Sequence, residues 1–155
     1  MLREMLLGTA AGAVGTIALD AVTYADMAVR ARPSSSVPAE VVGRLAERER
    51  AGVDLGSGET EQNRKSGLGA LSGYVVGLGV GTAYGLVRTH LGDVSKTRAG
   101  IVLGLAAMAG SDVPAAALGV TEPTTLGLDG WVSDIVAHLA YGLMTAVAYN
   151  ASGGI

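Results

Sequence analysis

Four stretches of mostly apolar residues, 5–29, 67–91, 99–120 and 130–150, limit what this chain can fold into more than any other feature. Crossing the hydrocarbon core of a bilayer takes about 20 apolar residues in a helix, and each stretch is of that order. Helices of water-soluble proteins show a polar stripe every 3.6 residues, and these four do not. Only 16% of the chain is charged, against roughly 25% in ordinary soluble domains. Those charges crowd between Glu40 and Lys65 and are sparse elsewhere. The first stretch opens with Leu2-Arg3-Glu4 and is interrupted by Asp20. That suits a cleaved leader poorly, so it is read as a retained span. The expected fold is an all-α membrane protein, a four-transmembrane-helix bundle making one domain over residues 1–155. It is expected to be multi-pass in the cell membrane, with the lipid bilayer as its first partner.

Other classes fall away on composition. The net charge of −3 offers no clustered basic face for nucleic acid. Cysteine is absent, which removes thiolate metal sites and disulfides. Ser72, Ser111 and Ser133 lie in no nucleophile-elbow pattern, so no enzyme is expected. Gly77-Leu78-Gly79-Val80-Gly81 has the spacing of a dinucleotide loop but sits mid-span with no strand before it. No cofactor is expected.

Residues 30–66 form a polar loop between the first two spans. Pro33 and Ser34-Ser35-Ser36 end the first helix. A short amphipathic helix is predicted from Pro38 to Ala51, with Val41, Val42, Leu45 and Ala46 as its apolar stripe and Gly52 as its stop. The spans also hint at two parallel helix-hairpin repeats. Gly8, Gly12 and Asp20 share their spacing with Gly100, Gly104 and Asp112, and Ala83-Tyr84-Gly85-Leu86 matches Ala140-Tyr141-Gly142-Leu143. The two offsets differ by the length of the polar insertion. Basic residues near the span ends are balanced between the two sides, so charge hardly orients the chain.

The second span carries Gly69, Gly73, Gly77, Gly81 and Gly85, one every four residues. Such a strip lets another backbone approach closely in lipid, where helices associate by packing rather than by hydrophobic burial. The partner is either a helix of the same chain or a second copy, and a homo-oligomer is expected.

Ionisable side chains inside spans are costly and usually face the bundle interior or a water-filled cavity. Four stand out: Asp20, Asp112, Asp134 and His138. At a rise of 1.5 Å per residue, Asp20, Asp112 and His138 each lie roughly 12–13 Å from the long-loop side, and Tyr74 roughly 11 Å. Asp134 sits one turn from His138 on the same face. Asp134, His138, Tyr141 and Thr145 form one polar stripe on the last span. In the third span, Pro114 lacks an amide hydrogen and clashes with the Gly110 carbonyl, so the helix is expected to kink or break there. These groups suit a proton relay or a hydrogen-bonded network locking the helices. A metal ion is not expected, since no His-x-x-x-His or similar ligand pair is present.

Gly119-Val120-Thr121-Glu122-Pro123, Trp131 and Ser133-Asp134-Ile135-Val136-Ala137-His138-Leu139 resemble the C-terminal half of the YagU-type inner-membrane proteins, a largely uncharacterised family. The resemblance covers residues 100–142 and implies a multi-span membrane fold, with an acidic residue at Asp134 and a histidine at His138. The polar loop and the glycine strip depart from that pattern. V-type proteolipid rotor subunits share the four spans, the glycine richness and the duplication. Their membrane-embedded glutamate has no counterpart here, because every Glu lies outside the four stretches.

The expected function is an oligomeric channel or transporter, passing a proton, ion or small solute through the Asp/His layer. The alternative is a non-transporting scaffold or accessory subunit assembled through the glycine strip.

Overall fold

The computed structural model describes residues 1–49, 54–122, 124 and 127–153. Among them are five helices and no strand: α1 Leu2–Arg30, α2 Val37–Glu49, α3 Gly58–Arg88, α4 Lys96–Ala117 and α5 Leu128–Ala151. Four of these, α1, α3, α4 and α5, are long and apolar enough to cross a membrane. The all-α four-helix bundle is thus realised, with α2 as the amphipathic helix of the long loop. Ala51, Gly52 and Pro123 lie outside the described residues.

Element ends follow local chemistry. Helix α1 stops at Ala31, which takes a left-handed conformation (φ 51°) two residues before Pro33. Ser95 caps α4 by accepting the Arg98 amide. After α4, Gly119 turns left-handed (φ 70°) and the Gly119 and Val120 amides bond back to the Ala116 and Ala115 carbonyls. Helix α3 begins about two and a half turns before the expected span, because the polar stretch from Gly58 continues the same helix. Its 31 residues extend roughly 46 Å, well beyond a hydrocarbon core of about 30 Å. The charged first turns therefore project past the apolar layer.

Neighbouring spans run antiparallel. Helix α1 packs against α3 on one side and α5 on the other, and α5 packs against α4. A thinner α3–α4 seam, which includes Val76 against Gly110, closes the ring. Helix α2 rests on the loop-side part of α3. Small residues and hydroxyls fill the interior: Ala11, Ala99, Ala107, Ala146, Tyr84, Tyr141, Thr145 and Tyr149 are buried. Large aliphatics such as Ile17, Val75, Val102, Leu105 and Val113 face outward. In water that arrangement would be inside out. In lipid it is the expected one, since close backbone packing holds the helices together. The chain is built as a multi-pass membrane protein.

Four of the five strip glycines pack within the chain. An added Cβ at Gly81 would come 2.6 Å from the Gly12 Cα, and one at Gly85 would come 3.0 Å from the Gly8 Cα. Gly77 abuts the Thr16 hydroxyl and the Tyr141 ring. Gly69 seats α2, where a Cβ would lie 2.7 Å from the Pro38 carbonyl carbon. Gly73 faces open space, with nothing within 4 Å.

The second hairpin repeats the motif of the first. Gly12 lies over Gly77, Leu78 and Gly81, as Gly104 lies over His138 and Leu139, and Gly142 meets Gly104. Packing therefore equates Gly77 with His138 and Gly81 with Gly142. The Ala-Tyr-Gly-Leu match instead pairs Gly85 with Gly142, one helical turn away. The similar sequences are thus offset from the similar contacts.

The expected break at Gly110 and Pro114 does not interrupt the helix. Helix α4 runs through Pro114 to Ala117, and the Leu118 amide bonds the Pro114 carbonyl. Pro114 falls in the last turn, where one missing amide costs little continuity.

Candidate functional site

Helices α4 and α5 bring three of the predicted ionisable groups together. Their glycines allow this, because Gly100 and Gly104 draw α4 against the backbone of α5 at Gly142 and His138. Two turns further toward the long loop, Asp112 faces Asp134. The two carboxyls lie close enough to act on each other electrostatically. Asp134 also lies one turn from His138, whose Nδ1 is 3.0 Å from the Asp134 carboxylate and 3.0 Å from its backbone carbonyl. A carbonyl oxygen can only accept, so Nδ1 carries the hydrogen. That leaves Nε2 as the nitrogen that gains or loses a proton. His138 is 8% exposed, whereas Asp112 and Asp134 are half-buried.

Asp20 does not join this group. Its carboxylate accepts a hydrogen bond from the Tyr74 hydroxyl at 3.2 Å, across the α1–α3 contact. The charges acting on His138 are those of Asp134 and Asp112. The single layer expected from depth is thus two separate clusters, one in each hairpin. Asp20 and Asp112, at matching positions of the proposed repeat, each anchor one.

Below the cluster, α5 continues as a line of buried hydroxyls. Tyr141 donates to the Gly77 carbonyl at 2.6 Å, and Thr145 donates to the Tyr141 carbonyl at 2.8 Å. Both are almost completely buried. These donors are taken by backbone, and Tyr141 and Thr145 pack closely against Gly15 and Gly77, closing the middle of the bundle. One further turn on, Tyr149 donates to Glu4 at 2.5 Å and packs edge-on against Tyr84, with ring centroids 5.0 Å apart. Sequence reasoning missed Glu4, Tyr84, Arg88 and Tyr149. The signal for Tyr149 was present, since it extends the Asp134–Thr145 stripe by four more residues.

Two cavities open at the long-loop end. One, of about 400 Å³, lies between α2 and α3 beside Glu40, Arg44 and Lys65. The other, of about 290 Å³, lies between α1 and α5, lined by Val22, Asp26, Arg30, Val132, Ser133 and Val136. At its mouth Asp26 is paired with Arg30 at 2.7 Å and with Arg32 at 2.5 Å, and Arg30 also bonds Ser133. Neither cavity is lined by Asp112, Asp134 or His138. Among the described residues, no group of three or more His, Cys, Asp or Glu side chains has the geometry to hold a metal ion. No protein-family model, no curated protein and no solved structure matches the chain.

Proposed function

We propose that this membrane protein passes protons, alone or coupled to a small solute, by loading and unloading the Asp112–Asp134–His138 cluster. The observation that carries this reading is the buried His138 imidazole 3.0 Å from the Asp134 carboxylate, with the Asp112 carboxyl acting on the same Asp134. Two carboxyls and a ring nitrogen able to take up a proton stand in contiguous positions. Ionisable groups at such depth are expensive and are retained where they handle charge. The closed plane at Tyr141 and Thr145 favours a gated carrier over an open pore. The resident membrane is proposed to be the cell membrane.

A second reading is a non-transporting scaffold. The observation favouring it is that the buried hydroxyls of α5 are bonded to backbone or to Glu4, as a purely structural network would be. Assembly into a homo-oligomer, under either reading, would use surfaces other than the four glycines occupied within the chain.

Purified protein in liposomes under an imposed pH gradient separates the two. Proton movement is expected in the wild type and lost in Asp134→Asn and His138→Ala. Wild-type liposomes as tight as protein-free ones would leave the scaffold.

A further inference from the structure

Among the described residues, two buried side-chain polar atoms have no hydrogen-bond partner: the Tyr84 hydroxyl and Arg88 Nε. Both residues are more than nine-tenths buried, at 5% and 7% exposed. They lie one turn apart at the end of α3, where α1 begins, α4 begins and α5 ends. Arg88 spends one guanidinium nitrogen on the Gly92 carbonyl, at 2.8 Å. Tyr84 packs on Tyr149, whose hydroxyl reaches Glu4 and lies 3.4 Å from the Gly85 carbonyl. Arg88 and Tyr84 are both close enough to act electrostatically on the Tyr149 hydroxyl. The Glu4 side chain is 14% exposed and is paired at 2.7 Å with Arg3, which is open to the outside. A buried donor left without a partner is costly. The usual remedy in a site with several polar neighbours is an internal water. Tyr84, Arg88, Tyr149 and Glu4 supply the donors and acceptors such a water needs.

We propose that these four residues hold internal water and form a second proton site, at the end of the bundle opposite Asp112–Asp134–His138. Its water-holding part stands on the two orphaned atoms alone, and its proton role rests on the reading above. A proton released from the Asp112–Asp134–His138 cluster protonates the bound water, which passes it to the Glu4 carboxylate and is left neutral. Glu4 then releases the proton to bulk water beside Arg3 and returns to carboxylate. Nothing else is consumed. Between the two sites lies the closed plane of Tyr141 and Thr145, so they communicate only when that plane loosens.

Radiolytic hydroxyl labelling of the intact protein tests the water, because tyrosines beside bound water are oxidised even when buried. Tyr84 and Tyr149 are expected to label well ahead of Tyr141, which is equally buried but bonded to backbone. Labelling as slow as that of Tyr141 overturns the site. Proton flux in liposomes tests the role. Glu4→Gln should slow it by about a hundredfold, the scale of losing a proton-transfer group, with the Tyr141 labelling unchanged as proof of fold. Undiminished flux in Glu4→Gln overturns the proton role. If Tyr84 labels fast and wild-type protein shows no flux, the water site stands and the proton-passing reading falls.

Discussion

The Tyr141 hydroxyl donates to the Gly77 carbonyl at 2.6 Å, tying α5 to the glycine strip of α3. The contact exists because Gly77 has no side chain. A Cβ there would lie 3.3 Å from the Tyr141 ring and would collide with the Thr16 hydroxyl. Glycine thus lets a buried tyrosine reach a backbone oxygen on α3, which α5 meets again at Tyr149 against Tyr84.

Removing that hydroxyl should be measurable. Tyr141→Phe is expected to lower unfolding stability by about 0.6–1.5 kcal/mol, the range for one interhelical hydrogen bond in a membrane or a buried protein site. Reversible unfolding in mixed detergent micelles checks it. An unchanged midpoint would mean the bond contributes nothing net.

The glycine strip divides into occupied and open positions. Gly81→Leu should disrupt the α1–α3 contact, at a cost of at least the 1–3 kcal/mol typical of overpacking. Gly73→Ala should instead be neutral or stabilising by up to about 1 kcal/mol, since alanine favours helix and nothing stands in its way. Equal melting temperatures for the two variants would contradict the packing described.

Much of this architecture can be read from the chain before folding, and the failures have specific causes. The spans follow from length and apolarity alone, and the strip follows from glycines at every fourth residue. Depth along a helix was also legible, but depth gives height and not direction. Asp20 lies near the height of Asp112 yet turns toward Tyr74 on α3, which no count of residues along α1 could reveal. Pro114 does not break α4 because it falls in the final turn, where the sequence does not show how soon the helix ends. Arg88 counts in the sequence only as a basic residue near the end of a span. It is buried where α1, α4 and α5 meet the end of α3, which no span boundary reveals.

The separation of the two acidic clusters makes a thermodynamic prediction. Asp20→Asn and Tyr74→Phe should couple in a double-mutant cycle, by about 0.5 kcal/mol or more, as residues in contact do. Asp20→Asn and His138→Ala should add within about 0.5 kcal/mol, as for sites without a shared partner. Strong coupling in the second cycle would mean that the clusters form one network after all.

Pro114→Ala should leave the fold intact. The new amide can bond the Gly110 carbonyl, so stability should rise by an amount below the roughly 3 kcal/mol attached to proline deep inside a helix. Thermal unfolding in detergent decides it, and a fall in melting temperature would show that proline shapes the end of α4 in a way the continuous helix does not display.

Proton flux in liposomes, compared between Asp112→Asn and Asp112→Glu, tests the central claim most directly. Asparagine keeps the size and hydrogen-bonding capacity of Asp112 but cannot exchange a proton, while glutamate keeps the titrating carboxyl. With both variants folded, flux should vanish in Asp112→Asn and persist, slowed, in Asp112→Glu. Equal flux in the two variants would contradict a proton-carrying role for the Asp112–Asp134–His138 cluster.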